Sequence, residues 1–160
     1  MNRIRKIYCN NPFYGGEVIT VHKKVYDSVK FKDQIYSIEN DEFQPEICSE
    51  YDGILLDLVT DLQRPIINSE SPPLFIREND YLYTIILDSL YHFRSPYYGK
   101  GEISRVYKSI GDTVFAYQPL LQIKVDNVHT NIVSEFNGEL VGLHEKFEKD
   151  EIVYSIKIKN

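Results

Sequence analysis

Apolar residues in this chain come in short runs, such as Val18-Ile19, Ile35-Tyr36 and Leu120-Leu121, set off by turn residues at intervals of about 8–12 positions. No window of about 15 residues keeps a clean 3.6-residue period, so amphipathic helices are not expected. The pattern predicts an all-β chain of short strands, as in a sandwich or barrel. One segment, Tyr81 to Phe93, is ambiguous. Its aromatic and β-branched content favours two strands broken at Asp88-Ser89, with a short helix as the alternative.

The pattern also repeats. Residues 16–58 align without a gap on residues 101–143, an offset of 85, and 14 of these 43 positions are identical. Gly16 and Gly101 open the blocks, and Asp27 and Asp112 fall in turn-like sites. Ile47-Cys48-Ser49-Glu50-Tyr51-Asp52-Gly53 matches Ile132-Val133-Ser134-Glu135-Phe136-Asn137-Gly138, and Asp-Gly and Asn-Gly are strong hairpin signals. Upstream, Asn11-Pro12-Phe13-Tyr14-Gly15 matches Ser95-Pro96-Tyr97-Tyr98-Gly99. The repeat predicts two domains, residues 1–79 and 80–160, joined without a Gly/Ser linker and therefore docked on one another. After Gly53 the first copy runs through a Pro- and Ser-rich surface loop at Gln63 to Pro73 to Leu74-Phe75-Ile76, where the second runs straight to Ile152 to Ile156, and so reads as about five residues longer.

The second copy carries Ser95-Pro96, Gly101, Gly111-Asp112-Thr113-Val114, Gln118-Pro119-Leu120-Leu121 and Asn137-Gly138, with Lys149-Asp150-Glu151-Ile152 before the last strand. In these motifs it resembles the biotinyl/lipoyl attachment domain family over residues 93–158. The first copy resembles it through Gly16, Asp27-Ser28-Val29 and Asp52-Gly53, but has Tyr26 for the turn glycine and Gln34-Ile35 for Pro-Leu. The resemblance implies a barrel-sandwich hybrid for each copy, a flattened barrel of two short sheets. It also implies that the family's modified lysine would stand at the tip of a central hairpin, eleven residues before the corner glycine. Those positions are Asn127 and Glu42, flanked by Asp126 and Val128 in one copy and by Asp41 and Phe43 in the other. An amide bond to biotin or lipoate needs an amine, which neither side chain supplies. Lys124, three residues off, falls in the strand rather than at the tip. The copies read as degenerate carriers with no cofactor.

Charge and composition narrow the function classes. Lys plus Arg number 18 and Asp plus Glu 24, for a net charge of -6, which gives no general attraction to nucleic acid or to an anionic membrane. Residues 1–80 hold nine basic and 14 acidic residues, so five of the six excess negative charges lie there. Glu39, Asp41, Glu42, Glu46, Glu50 and Asp52 occur with no Lys or Arg between them. They read as a solvated acidic face or a docking patch for a basic partner. The aromatic Pro12-Phe13-Tyr14 and Pro96-Tyr97-Tyr98 read as barrel plugs or as a partner surface. Two cysteines, Cys9 and Cys48, are too few for a disulfide scaffold. With no apolar leader and no apolar run of membrane length, the expectation is a cytoplasmic protein.

Other chemistry finds little support. His22, His92, His129 and His144 show no metal-ligand spacing, and His129 stands out only for its place near the hairpin tip. No nucleophile elbow is present. Ser49 and Ser134 recur just before a corner, where packing asks for a small residue. The glycines precede strands, so no phosphate loop forms. The sequence thus predicts a protein that is not an enzyme. It would bind or scaffold a protein partner, such as an enzyme that handles carrier domains, through Glu39, Asp41, Glu42, Phe43, Glu46, Asp126, Val128 and His129. The alternative is a biotinyl or lipoyl carrier modified at Lys124. A third reading, an efflux adaptor, requires long helical hairpins for which the pattern has no room.

Overall fold

A computed structural model of the chain describes residues 3–60 and 74–159. The loop expected at Gln63 to Pro73 lies outside the described residues. Two compact units divide at Asp88/Ser89. In the first, Arg3–Asp88, the strands are β1 (Ile4–Tyr8), β2 (Gly16–Val21), β3 (Ser28–Val29), β4 (Gln34–Glu39), β5 (Glu46–Cys48), β6 (Gly53–Leu58), β7 (Phe75–Ile76) and β8 (Tyr81–Leu87). They form two four-stranded sheets, ordered β1-β8-β6-β3 and β5-β4-β2-β7. In residues 89–159 the strands are β9 (Leu90–Arg94), β10 (Gly101–Val106), β11 (Thr113–Val114), β12 (Pro119–Val125), β13 (Val128–Val133), β14 (Gly138–Leu143), β15 (Lys146–Phe147) and β16 (Ile152–Ile158). Their sheets run β9-β16-β14-β11 and β13-β12-β10-β15, the same order strand for strand. The fold is all-β. The described helical structure is one short 3-10 turn, Pro12–Tyr14.

Tyr81 to Phe93 is two strands, separated at Asp88-Ser89. β8 belongs with the first unit because it pairs with both β1 and β6, so the unit runs past the 79/80 division drawn from the repeat. The tail of the first copy is also longer than the sequence alignment indicated. Phe75 and Ile76 pair with β2, as Lys146 and Phe147 pair with β10, so the last strand of the first unit is β8 rather than Leu74-Phe75-Ile76. Residues 59–80 therefore stand against residues 144–151, which is 22 residues against eight, or 14 more.

Each unit closes around its own core. Ile35, Tyr36, Ile38, Leu55, Tyr83 and Ile85 are fully buried in the first, and Leu120, Phe136, Leu140, Val153, Tyr154 and Ile156 in the second. Full burial of one such side chain stabilises by about 1.5–3 kcal/mol. In the second unit Phe93 stacks on Tyr154 at 5.0 Å, and Tyr91 meets Phe136 edge-on at 4.9 Å. The buried phenols keep partners: Tyr36 donates toward the carbonyls of Leu82 (2.8 Å) and Val59 (2.9 Å), and Tyr154 to that of Val133 (3.2 Å).

The turns explain much of the repeated sequence. Asp27 accepts from the Lys24 N–H and Asp112 from the Ser109 N–H, both at 2.8 Å, so each carboxylate pins a four-residue turn. The next turns are held likewise by Asp33 on Lys30 and by Gln118 on Phe115. Asp-Gly and Asn-Gly are corners here, not hairpin turns, because β5 and β13 do not pair with the strands that follow them. Asp52 instead accepts from the Phe31 N–H and Asn137 from the Ala116 N–H, each at 2.8 Å. The glycine is required because a Cβ on Gly53 would fall on the Ile86 carbonyl, and one on Gly138 on the Lys157 carbonyl.

Candidate functional site

The central hairpin of the second unit is built for a sharp tip. Val125 pairs with Val128 across two residues, Asp126 (φ 47) and Asn127 (φ 65), both left-handed. Two left-handed residues make the hairpin turn whose twist matches the strands, and Asp and Asn bear that backbone best. Asn127 therefore stands at the tip. Val128 beside it is 63% exposed, and Asp126 and His129 are exposed as well.

Lys124 lies three positions back from Asn127, half-buried, opposite His129 on β13 and Glu102 on β10. Glu102 in turn lies opposite Lys146 on β15. Opposite charges on facing strand positions stabilise by about 0.2–1 kcal/mol, so this row of Lys124, Glu102 and Lys146 gives Lys124 a role in the sheet. The row lines an open hollow of about 680 Å³ with Lys100, Asp126, Asn127 and Glu148. His129 Nδ1 lies 3.3 Å from the Ser104 hydroxyl.

In the first unit the matching connection keeps the same register, with the Ile38 N–H donating to the Pro45 carbonyl (3.0 Å) and the Asn40 N–H to the Phe43 carbonyl (3.2 Å). β4 and β5 are joined by residues 40–45, and Asn40 organises them. Its carbonyl oxygen accepts from the N–H groups of Glu42 and Phe43, both at 3.0 Å. Its amide donates to the carbonyls of Phe13 (3.2 Å) and Gly15 (3.0 Å). Asp41, Glu42 and Phe43 are exposed on this loop, and Glu39 ends β4 beside it. Glu42 thus stands with Asp41 between the bonded pair Asn40 and Phe43, at the tip of the hairpin, but without the left-handed pair that turns the second unit's tip.

Glu46 faces another group. The Ser37 hydroxyl donates to its carboxylate at 2.8 Å and lies 2.6 Å from His22 Nε2, which is itself 3.8 Å from Glu46. Three strands or strand ends meet in this trio, so sequence reasoning missed it. In the second unit the same positions hold Tyr107, Gln122 and Asn131, where the Tyr107 hydroxyl and the Gln122 amide both donate to Asn131. The trio is therefore a polar link across the outer face of the sheet, with a counterpart of different chemistry. It does not have the form of a hydrolytic triad, because the acid contacts the hydroxyl and not the far nitrogen of the imidazole. Burial pushes the nearby Cys48 thiol above its ordinary range, and the Glu46 carboxylate adds to that, so Cys48 is not an activated thiolate.

Ser49 and Ser134 are buried at the corners, and each donates to the carbonyl two residues on, Tyr51 at 2.7 Å and Phe136 at 2.6 Å. Their role is to satisfy backbone that water cannot reach. Among the described residues no cluster of three or more His, Cys, Asp or Glu is arranged to hold a metal ion, and no helix is long and apolar enough to cross a membrane.

Comparison with known proteins adds one finding. Among curated proteins none matches the chain. The family model described as "Biotin-requiring enzyme" matches residues 92–156, from β9 to β16, and supports the biotinyl/lipoyl family for that part of the chain.

Proposed function

We propose that the chain is a non-catalytic binding or scaffold protein made of two biotinyl/lipoyl-like domains, neither modified at its hairpin. The observation that carries this reading is the chemistry of the tip. The family's prosthetic groups are held through a lysine amine there, and this chain has Asp126-Asn127 in one unit and Asp41-Glu42 in the other. Carboxylates and amides do not form that bond, so these residues do not fit biotin or lipoate. The shared strand order supports treating the first unit as a second, more diverged copy. A binding role matches what the family's hairpin end does for carriers, which is to be recognised by other proteins. A partner enzyme that handles carrier domains is the reading this favours, and a cytoplasmic location goes with it.

A second reading keeps the carrier role and moves it to Lys124, which lines the hollow beside the tip. Intact-mass measurement of the protein purified from its own host separates the two. The mass of the bare chain supports the scaffold. An added biotinyl or lipoyl group, mapped by peptide digestion to Lys124, supports the carrier and overturns the scaffold.

A further inference from the structure

The hairpin ends of the two units present different surfaces on the same framework. In the first unit Phe13, Phe43 and Phe75 are 65%, 41% and 50% exposed. Single exposed aromatics are ordinary, but these three are gathered. The Asn40 side chain binds the backbone of both Phe13 and Phe43, and Phe75 lies opposite Glu17, next to the strand that Gly15 leads into. The row that reads Lys124, Glu102, Lys146 in the second unit reads Glu39, Glu17, Phe75 in the first. Glu17 and Glu39 thus face one another directly, a destabilising pairing of like charges, and both lysines that flank Glu102 are missing.

The positions equivalent to the lining of the second unit's hollow carry Glu17, Glu39, Asp41, Glu42 and Asp80 against the one cation Arg77. The lining itself carries Lys100, Lys124 and Lys146 against Glu102, Asp126, Glu148 and Glu151. The difference is a net -4 against -1, with the Phe75 ring in the first unit where the second has the Lys146 stem.

We infer that this exposed aromatic face docks a segment of a partner protein that presents Lys or Arg beside apolar side chains, its cation lying against Glu17 as Lys124 lies against Glu102 in the second unit. The rings supply apolar contact. The facing Glu17 and Glu39 supply a field that one incoming cation relieves, and that field selects the occupant. This inference rests on the proposed binding role and adds the site and the chemistry of the partner.

The test uses the full chain and three capped hexapeptides, alternating Lys-Leu, Lys-Ser and Glu-Leu, titrated while backbone amide shifts are followed by NMR. The expected result is binding of the Lys-Leu peptide, with shifts concentrated at Glu17, Glu39, Phe43 and Phe75. Glu39→Lys and Phe75→Lys, which install the second unit's residues, should each weaken it about tenfold. Glu17→Gln, which relieves a repulsion and so keeps the fold, should weaken it in the same direction. Equal shifts at the second unit's hairpin, equal binding of the Lys-Ser peptide, or no effect of the substitutions would each overturn the inference. Silence of the Lys-Leu peptide with an unmodified intact mass overturns this site and leaves the binding role standing. An added prosthetic group overturns the binding role whatever the peptide does.

Discussion

Tyr26 holds φ 72 at the turn position where Gly111 holds φ 94 in the second unit. Both precede an aspartate that pins the turn, and both sit third in a four-residue turn closed by a backbone bond, Asp27 N–H to Lys24 in one and Asp112 N–H to Ser109 in the other. This geometry demands a left-handed residue, which costs a side-chain-bearing residue about 1–2 kcal/mol. Tyr26 is 77% exposed and gains little packing in return. Tyr26→Gly is therefore expected to stabilise the first unit by about 0.5–1 kcal/mol, after the extra chain entropy of glycine is subtracted. Gly111→Ala should destabilise the second by about 1 kcal/mol, even though a Cβ there meets nothing within 4 Å. Urea melts followed through amide signals of each unit separately would show both shifts. Equal midpoints for Tyr26→Gly and the parent would refute the strain argument.

The corner serines give a sharper expectation. Ser134 is fully buried, donates to the Phe136 carbonyl at 2.6 Å and accepts from the Phe136 N–H at 3.3 Å. Ser134→Ala leaves both backbone groups unsatisfied in a site closed to water, at a cost of about 1–3 kcal/mol. Ser49, bound in the same way to Tyr51, should cost a comparable amount in the first unit. A loss below about 0.5 kcal/mol in either, measured by urea midpoint, would mean that the corner rearranges to recover its bonds.

The fold and the site were open to sequence reasoning to different depths. Eleven residues back from Gly138 the count lands on Asn127, and the backbone does turn there, because two left-handed residues suit Asp and Asn. The same chemistry misled at Asp52-Gly53 and Asn137-Gly138. A turn-like dipeptide does not reveal whether its glycine serves a left-handed turn or, as here, a close approach to the Ile86 or Lys157 carbonyl. The last strand of the first unit was misplaced because Leu74-Phe75-Ile76 is apolar enough to pass for it, and only pairing with Gly16 and Glu17 identifies it as the counterpart of Lys146-Phe147. The link from His22 through Ser37 to Glu46 spans separate strands, so register alone brings it together.

Acid should act differently on two equivalent turns. The Lys30 N–H, helped by the Lys23 ammonium, holds the Asp33 carboxyl below its ordinary range near 3.8. A depressed pKa means that the folded state prefers the carboxylate. Its contribution is complete above the ordinary value and is lost as pH falls through the lower folded value. Gln118 does the same work for the Phe115 N–H and carries no titrating group. The Lys30 amide shift should therefore titrate with a midpoint below 3.8, and Asp33→Gln should abolish that titration. The Phe115 amide should show no such step. A Lys30 midpoint at or above the ordinary value would show that the hydrogen bond does not favour the ionised form.

The charge row on the second unit's sheet makes the last prediction, and it separates a sheet role for Lys124 from a chemical one. Lys124 and Lys146 both face Glu102. Lys124→Glu turns the attractive pair into a repulsive one and reproduces the Glu17–Glu39 pairing of the first unit. The change should destabilise the second unit by about 0.5–2 kcal/mol, the gain lost plus the repulsion added. Glu39→Lys makes the reverse exchange and should stabilise the first unit by a similar amount. Exposed charges are screened by salt, so both effects should shrink when the melts are repeated at 1 M salt, where the screening length is about 3 Å. Lys124→Met keeps the aliphatic stem and removes only the charge, so it should fall between the parent and Lys124→Glu. If all three Lys124 proteins melt together at low salt, facing charge does not explain why a lysine stands at this position.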